Sequence, residues 1–211
     1  FFYAPNMHGV DWEAMRKKYE PLLAHVNHRD DLTYIIGELI AELNCGHAYV
    51  GGGDTPKIER ISMGLLGADV SRDGTGFYRI DKIIRGANWS AENRSPLLEP
   101  GLDVSEGQFI IKVNGRLTSS VRDINELLVG TAGKTTELTV NKTASETGAR
   151  NILITPLSDQ SGLYYYNWVH ENIRKVDEAT KGQVGYLHIP DMGAEGLNEF
   201  VKYFYPQLNK K

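Results

Sequence analysis

The sequence predicts an α+β protein in three parts, because the period of its apolar residues changes twice along the chain. The apolar residues first recur at helical spacing, then alternate as they do in strands, and finally return to helical spacing around one short apolar run. Runs rich in glycine or proline mark both changes, at 51–56 and at 156–162. The predicted parts are a helical segment at 1–57, a β domain at 58–157 and the start of an α/β unit at 158–211.

Two antiparallel helices are predicted for the first part. Asp11 can cap a helix that runs from Trp12 to about residue 23, and Pro21 is expected to kink or split it. The second helix has Asp30 or Asp31 as its cap and Gly46 as its stop. Its apolar residues share one helical face: Leu32, Ile35, Ile36, Leu39, Ile40 and Leu43.

The middle part reads as strands with one short helix between them. The alternating segments, rich in Ile, Val, Phe and Thr, are 77–84, 108–113, 137–142 and 151–155. Apolar residues at 121–128 indicate the helix, with Ser119 or Ser120 as its cap. Asn114-Gly115 is typical of a tight hairpin turn. This pattern favours a small, partly open β-barrel with one main helix.

The last part predicts a helix from about Tyr165 to Val176, with Gly182 just beyond its end. The apolar run 184–189 reads as a strand that Pro190 ends, and a further helical stripe covers 197–208. A strand followed by a helix opens an α/β unit, so we expect a parallel partner strand to come next.

Composition excludes some classes of function. The chain has 23 Lys and Arg against 27 Asp and Glu, a net charge of -4, which disfavours nucleic acid as a partner. No apolar run reaches the roughly 18 residues of a spanning helix, so no membrane partner is expected. Cys45 is the single cysteine and cannot form a disulfide within the chain. Because the sequence begins at Phe1 rather than Met, we expect an excerpt of a longer protein.

His47 is the leading candidate for chemistry. It lies between a predicted helix end and a strand-like run, where an imidazole can reach a cleft and exchange protons near neutral pH. A structural histidine bonded to a backbone carbonyl is the alternative. Two other roles agree less well with the sequence. One makes Cys45 a thiol nucleophile with His47 as its base, and the other makes both residues zinc ligands together with His25 and His28. The first pair is too close in sequence, and the second set matches no usual zinc spacing.

The middle part offers a candidate binding element. The segment 63–67, Met-Gly-Leu-Leu-Gly, can present backbone N–H groups as a nest for a carboxylate, and a strand after it could accept a peptide by edge addition. The candidate peptide-binding residues are Met63, Gly64, Leu65 and Leu66. A simple hairpin turn is the alternative.

Four stretches together resemble tricorn-type serine proteases, relatives of the C-terminal processing proteases. The glycine-bounded turn and strand at 100–115, ending in Asn-Gly, resemble a PDZ domain covering about 58–157. The segments 7–12 (Met-His-Gly-Val-Asp-Trp) and 42–49 (Glu-Leu-Asn-Cys-Gly-His-Ala-Tyr) resemble the helical part of the catalytic core. The segment 185–200 is similar to the start of the second catalytic subdomain.

This resemblance implies an oligopeptide-hydrolysing serine peptidase that assembles as a hexamer. No cofactor or metal is expected. It implies that His47 is the general base for a serine that lies outside this chain. The family places a second serine directly before that histidine, where this sequence has Gly46. No Gly-x-Ser-x-Gly motif is present, so we expect the chain alone to be inactive.

Two hypotheses follow. In the first, the chain is part of an active tricorn-like peptidase and contributes the base and the PDZ domain. In the second, it is a PDZ peptide-binding or scaffold module of a homologue whose protease machinery is degenerate. The compartment is left open: an archaeal-type relative would be cytoplasmic, whereas a bacterial one with a leader peptide would be periplasmic or extracellular.

Overall fold

The computed structural model describes residues 2–55, 57–87, 89–90 and 93–210. The chain divides into two compact units, Phe1–Arg60 and Ile61–Lys211. The first unit is helical and the second combines an open antiparallel sheet with helices, so the α+β class is confirmed. Pro56 of the predicted linker lies outside the described residues. The division into three domains stays a prediction.

In the first unit, α1 spans Trp12–Tyr19 and α2 spans Arg29–Ala41. Asp11 caps α1 as predicted, because its Oδ1 accepts from the N–H of Ala14 at 3.0 Å. Pro21 splits the predicted longer helix, and the chain continues as a 3₁₀ helix over Glu20–His25.

The predicted cap of α2 is wrong. The N-cap is His28, and Asp31 lies in the first turn, where its Oδ2 accepts from the N–H groups of Asn27 and His28 at 3.0 and 3.4 Å. These bonds lower the pKa of the Asp31 carboxyl, the bond from Asn27 most of all. An acidic side chain inside the first turn serves here as the reciprocal half of a capping box.

After α2 the chain turns and runs back along the same helix. Asn44 adopts φ 50°, the left-handed conformation that often follows a helix end. Val50 lies against Gly37, where an added Cβ would be 3.4 Å from its Cγ1. Gly53 lies against Arg29, where an added Cβ would be 2.4 Å from Nε. Residues 44–49 therefore form a loop at the C-terminal end of α2.

The described part of the second unit contains six strands: β1 Ala68–Arg72, β2 Tyr78–Ile83, β3 Phe109–Val113, β4 Arg116–Leu117, β5 Thr136–Asn141 and β6 Arg150–Ile154. Their order is β1-β2-β3-β5-β6, every pairing is antiparallel, and β4 pairs with β3 across the predicted Asn114-Gly115 turn. The four predicted strands are confirmed within two residues, whereas β1 was expected only as a strand of no stated bounds after 63–67 and β4 was given no range. Inward-facing aliphatic residues such as Ile80, Ile110 and Leu138, each 0% exposed, form the core.

The sheet curls toward closure where the segments that flank its two edge strands meet. Leu65, just before β1, pairs with Leu157, just after β6, through two backbone hydrogen bonds of 2.8 and 2.9 Å. The helix predicted at 121–128 is shorter, since α3 spans only Asn125–Leu128. Ser119 and Ser120 lie in a separate 3₁₀ turn and do not cap it.

Helix α4, Ser161–Thr180, packs on this sheet, and α5, Ala194–Phe204, follows it. Leu163 is fully buried and contacts Gly67 and Gly86, while Glu171 forms an ion pair with Lys82 of β2. The hydrogen bond from Lys82 is the main reason that the pKa of Glu171 is lowered.

The strand predicted at 184–189 is not formed. The side-chain amide of Gln207 takes the place of a partner strand, because it accepts from the N–H of Tyr186 at 3.0 Å and donates to the Tyr186 carbonyl at 2.9 Å. None of the described helices is both long enough and apolar enough to cross a bilayer.

Candidate functional site

His47 lies in the loop at the end of α2 and its residue is exposed. Its Nδ1 is 3.5 Å from the hydroxyl oxygen of Tyr49, and the two rings are nearly perpendicular with centroids 6.3 Å apart. A contact of that length is at the outer limit of hydrogen bonding and restrains the imidazole only weakly. An exposed imidazole on a loop is able to approach a reacting group on another part of a protein.

The helix end before this loop is anchored from α1. The Glu42 carboxylate accepts from Lys18 Nζ at 2.6 Å and from the Tyr19 hydroxyl at 2.7 Å, on a single oxygen. These two bonds, the one from Lys18 first, lower the pKa of Glu42, and the same carboxylate raises the pKa of Tyr19. The charged carboxylate therefore ties α1 to the C-cap residue of α2.

A second anchor comes from the N-terminal segment. The His8 Nδ1 lies 3.0 Å from the carbonyl oxygen of Leu43, and its Nε2 lies 2.6 Å from the Tyr3 hydroxyl oxygen. The Sγ atom of Cys45 is 3.9 Å from the same Nδ1. Sequence reasoning missed His8 and Tyr3 as site residues, because a contact between residues 35 apart leaves no local pattern.

Gly46 leaves room in the loop for a side chain. A Cβ added there would meet nothing within 4 Å, and its φ lies outside the left-handed region. A serine at this position, as the resembled family has it, would therefore fit without a clash.

The structure does not assemble the zinc ligand set weighed from the sequence. Among the described residues, which include His25, His28, Cys45 and His47, no group of three or more His, Cys, Asp or Glu side chains is placed to hold a metal ion. Cys45 is half-buried, and its Sγ lies 3.9 Å from Nδ1 of His8, a residue outside the zinc set.

The candidate peptide-binding segment 63–67 lies in the second unit, directly before the edge strand β1. Three of its backbone donors are engaged within the protein: Gly64 donates to Leu128 at 2.9 Å, Leu65 to Leu157 at 2.8 Å, and Gly67 to the Gln160 side-chain oxygen at 3.2 Å. A peptide carboxylate would have to displace these acceptors. Binding at Met63, Gly64, Leu65 and Leu66 stays a prediction.

Comparison with known proteins gives matches along most of the chain. The family model described as "Tricorn protease PDZ domain" matches residues 64–159, and the one described as "Tricorn protease C1 domain" matches residues 1–41. The tricorn protease homolog 1 of Streptomyces coelicolor is 39% identical over 198 residues, which are 92% of this chain and 18% of the relative.

More distant relatives and a solved structure agree. The tricorn protease of Thermoplasma volcanium is 30% identical over 94% of this chain and 19% of the relative. A crystal structure of the tricorn protease aligns with a TM-score of 0.77 at 32% identity, covering 91% of this chain and 18% of that one. The chain thus spans about a fifth of the length of these relatives.

Proposed function

This chain belongs to the tricorn protease family, and we propose that it is part of a serine peptidase that hydrolyses oligopeptides, to which it contributes a general base and a PDZ domain. The base is His47. The nucleophilic serine and its oxyanion hole lie in parts of the enzyme outside this chain, and the whole enzyme is a homo-oligomer.

The observation that carries this proposal is the exposed imidazole of His47 on a loop whose start is anchored by other elements. A general base must present a ring nitrogen to an incoming hydroxyl, and it must be held closely enough for repeated proton transfer. In the proposed reaction, a ring nitrogen of His47 takes the proton of the serine hydroxyl as its oxygen attacks the peptide carbonyl. The same nitrogen then gives the proton to the leaving amine.

The test measures hydrolysis of a fluorogenic short peptide by the full-length protein and by its His47→Ala variant. Because members of such a catalytic group act as a unit, we expect kcat to fall by about 10³-fold or more. His25→Ala, an exposed histidine of the same unit, is the matched control and should retain activity. Unchanged hydrolysis by His47→Ala would remove His47 from the mechanism. The chain alone should show no hydrolysis.

A second candidate function is a PDZ peptide-binding or scaffold module in a homologue with degenerate protease machinery. Two observations favour it: β1 is paired on one side only among the described strands, and Gly46 stands where the resembled family has a serine. An edge strand can add a peptide through main-chain hydrogen bonds. Segment 63–67 would supply the carboxylate site at the start of that strand.

Titration of the chain with peptides bearing free or amidated C-termini tests this candidate. Since the Gln160 side chain accepts from the Gly67 N–H, Gln160→Ala should free that donor and strengthen binding of the free carboxylate. The amidated peptide is the control for contacts other than the carboxylate. Equal binding of both peptides to both proteins would exclude a carboxylate site at segment 63–67.

A further inference from the structure

His8 bridges the N-terminal segment and the end of α2 with both ring nitrogens. The Leu43 carbonyl oxygen, 3.0 Å from Nδ1, can only accept, so Nδ1 must carry the hydrogen. In the neutral ring, Nε2 then holds the lone pair and accepts from the Tyr3 hydroxyl at 2.6 Å. The two partners thus select one tautomer, and Cys45 Sγ lies 3.9 Å from the same Nδ1.

The carbonyl that His8 binds lies where α2 gives way to the loop. Helix α2 ends at Ala41, and the last carbonyls of a helix lack partners within the helix itself. The turn continues as Leu43 donates to the Ile40 carbonyl, and Asn44 then adopts the left-handed conformation. His8 therefore acts as a side-chain cap at the last residue before the direction of the chain changes, four residues before His47.

The backbone that carries His8 is itself unusual. Met7, His8 and Gly9 have φ of 49°, 56° and 84°, three left-handed residues in succession. For residues with a Cβ this conformation is unfavourable, so it persists where other contacts hold it. The bonds to Tyr3 and Leu43 and the edge-on packing of Phe2 on the His8 ring, at 5.0 Å, are such contacts.

We propose that His8 is a positioning residue for His47. Its Nδ1–H fixes the Leu43 carbonyl, and through it the start of the 44–49 loop, so that the imidazole of His47 is held for proton transfer. His8 itself touches neither substrate nor nucleophile in this scheme. The inference rests on the proposed function for its catalytic meaning, whereas its structural content can be measured on the chain alone.

The structural test uses nuclear magnetic resonance on the chain with His8→Ala and His8→Asn. In the unmodified chain, long-range nitrogen–proton spectra should show His8 as the Nδ1–H tautomer. His8→Ala should raise amide hydrogen exchange across residues 44–49 about tenfold or more, because the cap is lost. His8→Asn should restore most of the protection, since an asparagine amide can donate from nearly the same position as Nδ1. His25→Ala is the control and should leave the loop unchanged.

The catalytic test measures peptide hydrolysis by the full-length protein. His8→Ala should lower kcat by about 10²-fold with KM within about twofold, as expected for a misplaced base, and His8→Asn should recover most of the loss. Unchanged loop exchange in His8→Ala, or an Nε2–H tautomer, would overturn the proposal.

Separate outcomes distinguish the two proposals. If His47→Ala abolishes hydrolysis while His8→Ala loosens the loop and leaves kcat unchanged, the positioning role is refuted and the proposed function stands. If His47→Ala leaves hydrolysis intact, the proposed function fails and the catalytic meaning of His8 fails with it, while the exchange measurement still decides whether His8 caps the loop.

Discussion

Shortening Leu163 to alanine should loosen α4 from the sheet of the second unit. The Leu163 side chain is 0% exposed, and its two terminal methyl groups fill the space left by two glycines. A Cβ added to Gly67 would lie 2.9 Å from Cδ2, and one added to Gly86 would lie 2.1 Å from Cδ1. Leu163 therefore packs the first turn of α4 against two positions at which any residue larger than glycine would clash with it.

The magnitude follows from what the substitution removes. Leu163→Ala deletes three carbons, worth about 0.8 kcal/mol each on transfer, or about 2.4 kcal/mol. A cavity term is added because the surrounding backbone collapses only in part, which brings the expected loss to about 3–4 kcal/mol. For a unit of this size, that loss corresponds to a fall in Tm of roughly 6–16 °C.

Urea unfolding followed by tryptophan fluorescence measures this loss. A Trp12→Phe background leaves Trp89 and Trp168, both in the second unit, as the reporters. Leu197→Ala is the matched control, since it makes the same change on α5 at a residue that is 62% exposed, and it should alter the free energy of unfolding by less than about 0.5 kcal/mol. A loss below about 1 kcal/mol for Leu163→Ala, or equal losses for both variants, would refute the role given to Leu163.

Three further predictions concern a pH dependence and two glycines. Burial against neighbouring rings lowers the pKa of His170, so the stability that its neutral form contributes is retained above about pH 6.5 and lost as the pH falls through the folded-state pKa. Urea midpoints between about pH 7.5 and 5 should show a shallower decline in His170→Asn, and an equal decline would contradict this cause. Gly53→Ala should destabilise the first unit by about 1–2 kcal/mol, because its φ is +98° and an added Cβ would meet Arg29. Gly51→Ala, the control, has open space around it and should leave the free energy of unfolding nearly unchanged. Trp12 fluorescence reports the unfolding of both variants. Gly46→Ser should leave the melting temperature unchanged within about 2 °C and should not lower peptidase activity; a marked loss of stability would show that the loop has less room than the structure gives it.

Local patterns accounted for most of the secondary structure. The alternation that predicted β2, β3, β5 and β6 depends only on side chains pointing to opposite faces of a sheet with one buried face. The bounds of strand β1, Ala-Asp-Val-Ser-Arg, were not predicted because it carries few apolar residues. It lies at a sheet edge, where pairing with β2 rather than burial defines it. The predicted strand at 184–189 failed for a related reason, since Gln207 supplies the hydrogen bonds that a neighbouring strand would have made.

The candidate site divides in the same way. His47 could be singled out from the sequence because it follows a helix end and lies in a motif that resembles a protease family. The contacts around His47 could not be predicted from the sequence. The Leu43 carbonyl is hydrogen-bonded to His8, and the Glu42 carboxylate accepts a hydrogen bond from a residue of α1. Both contacts join residues more than twenty positions apart, and nothing in the local sequence specifies such pairs.

By itself, the sequence determined the α+β class, the position of the helices and of four strands, and the family, because periodicity, turn residues and short motifs are local properties. Only the tertiary structure decided which backbone donors of segment 63–67 are already bonded within the protein, and which residues contact the start of the loop that carries His47. It also decided that Leu163 fills the space beside Gly67 and Gly86. Those outcomes depend on how the fold places groups that are distant in sequence. The fold decides which acceptor lies within hydrogen-bond distance of a backbone N–H, and which side chain occupies the space beside a glycine.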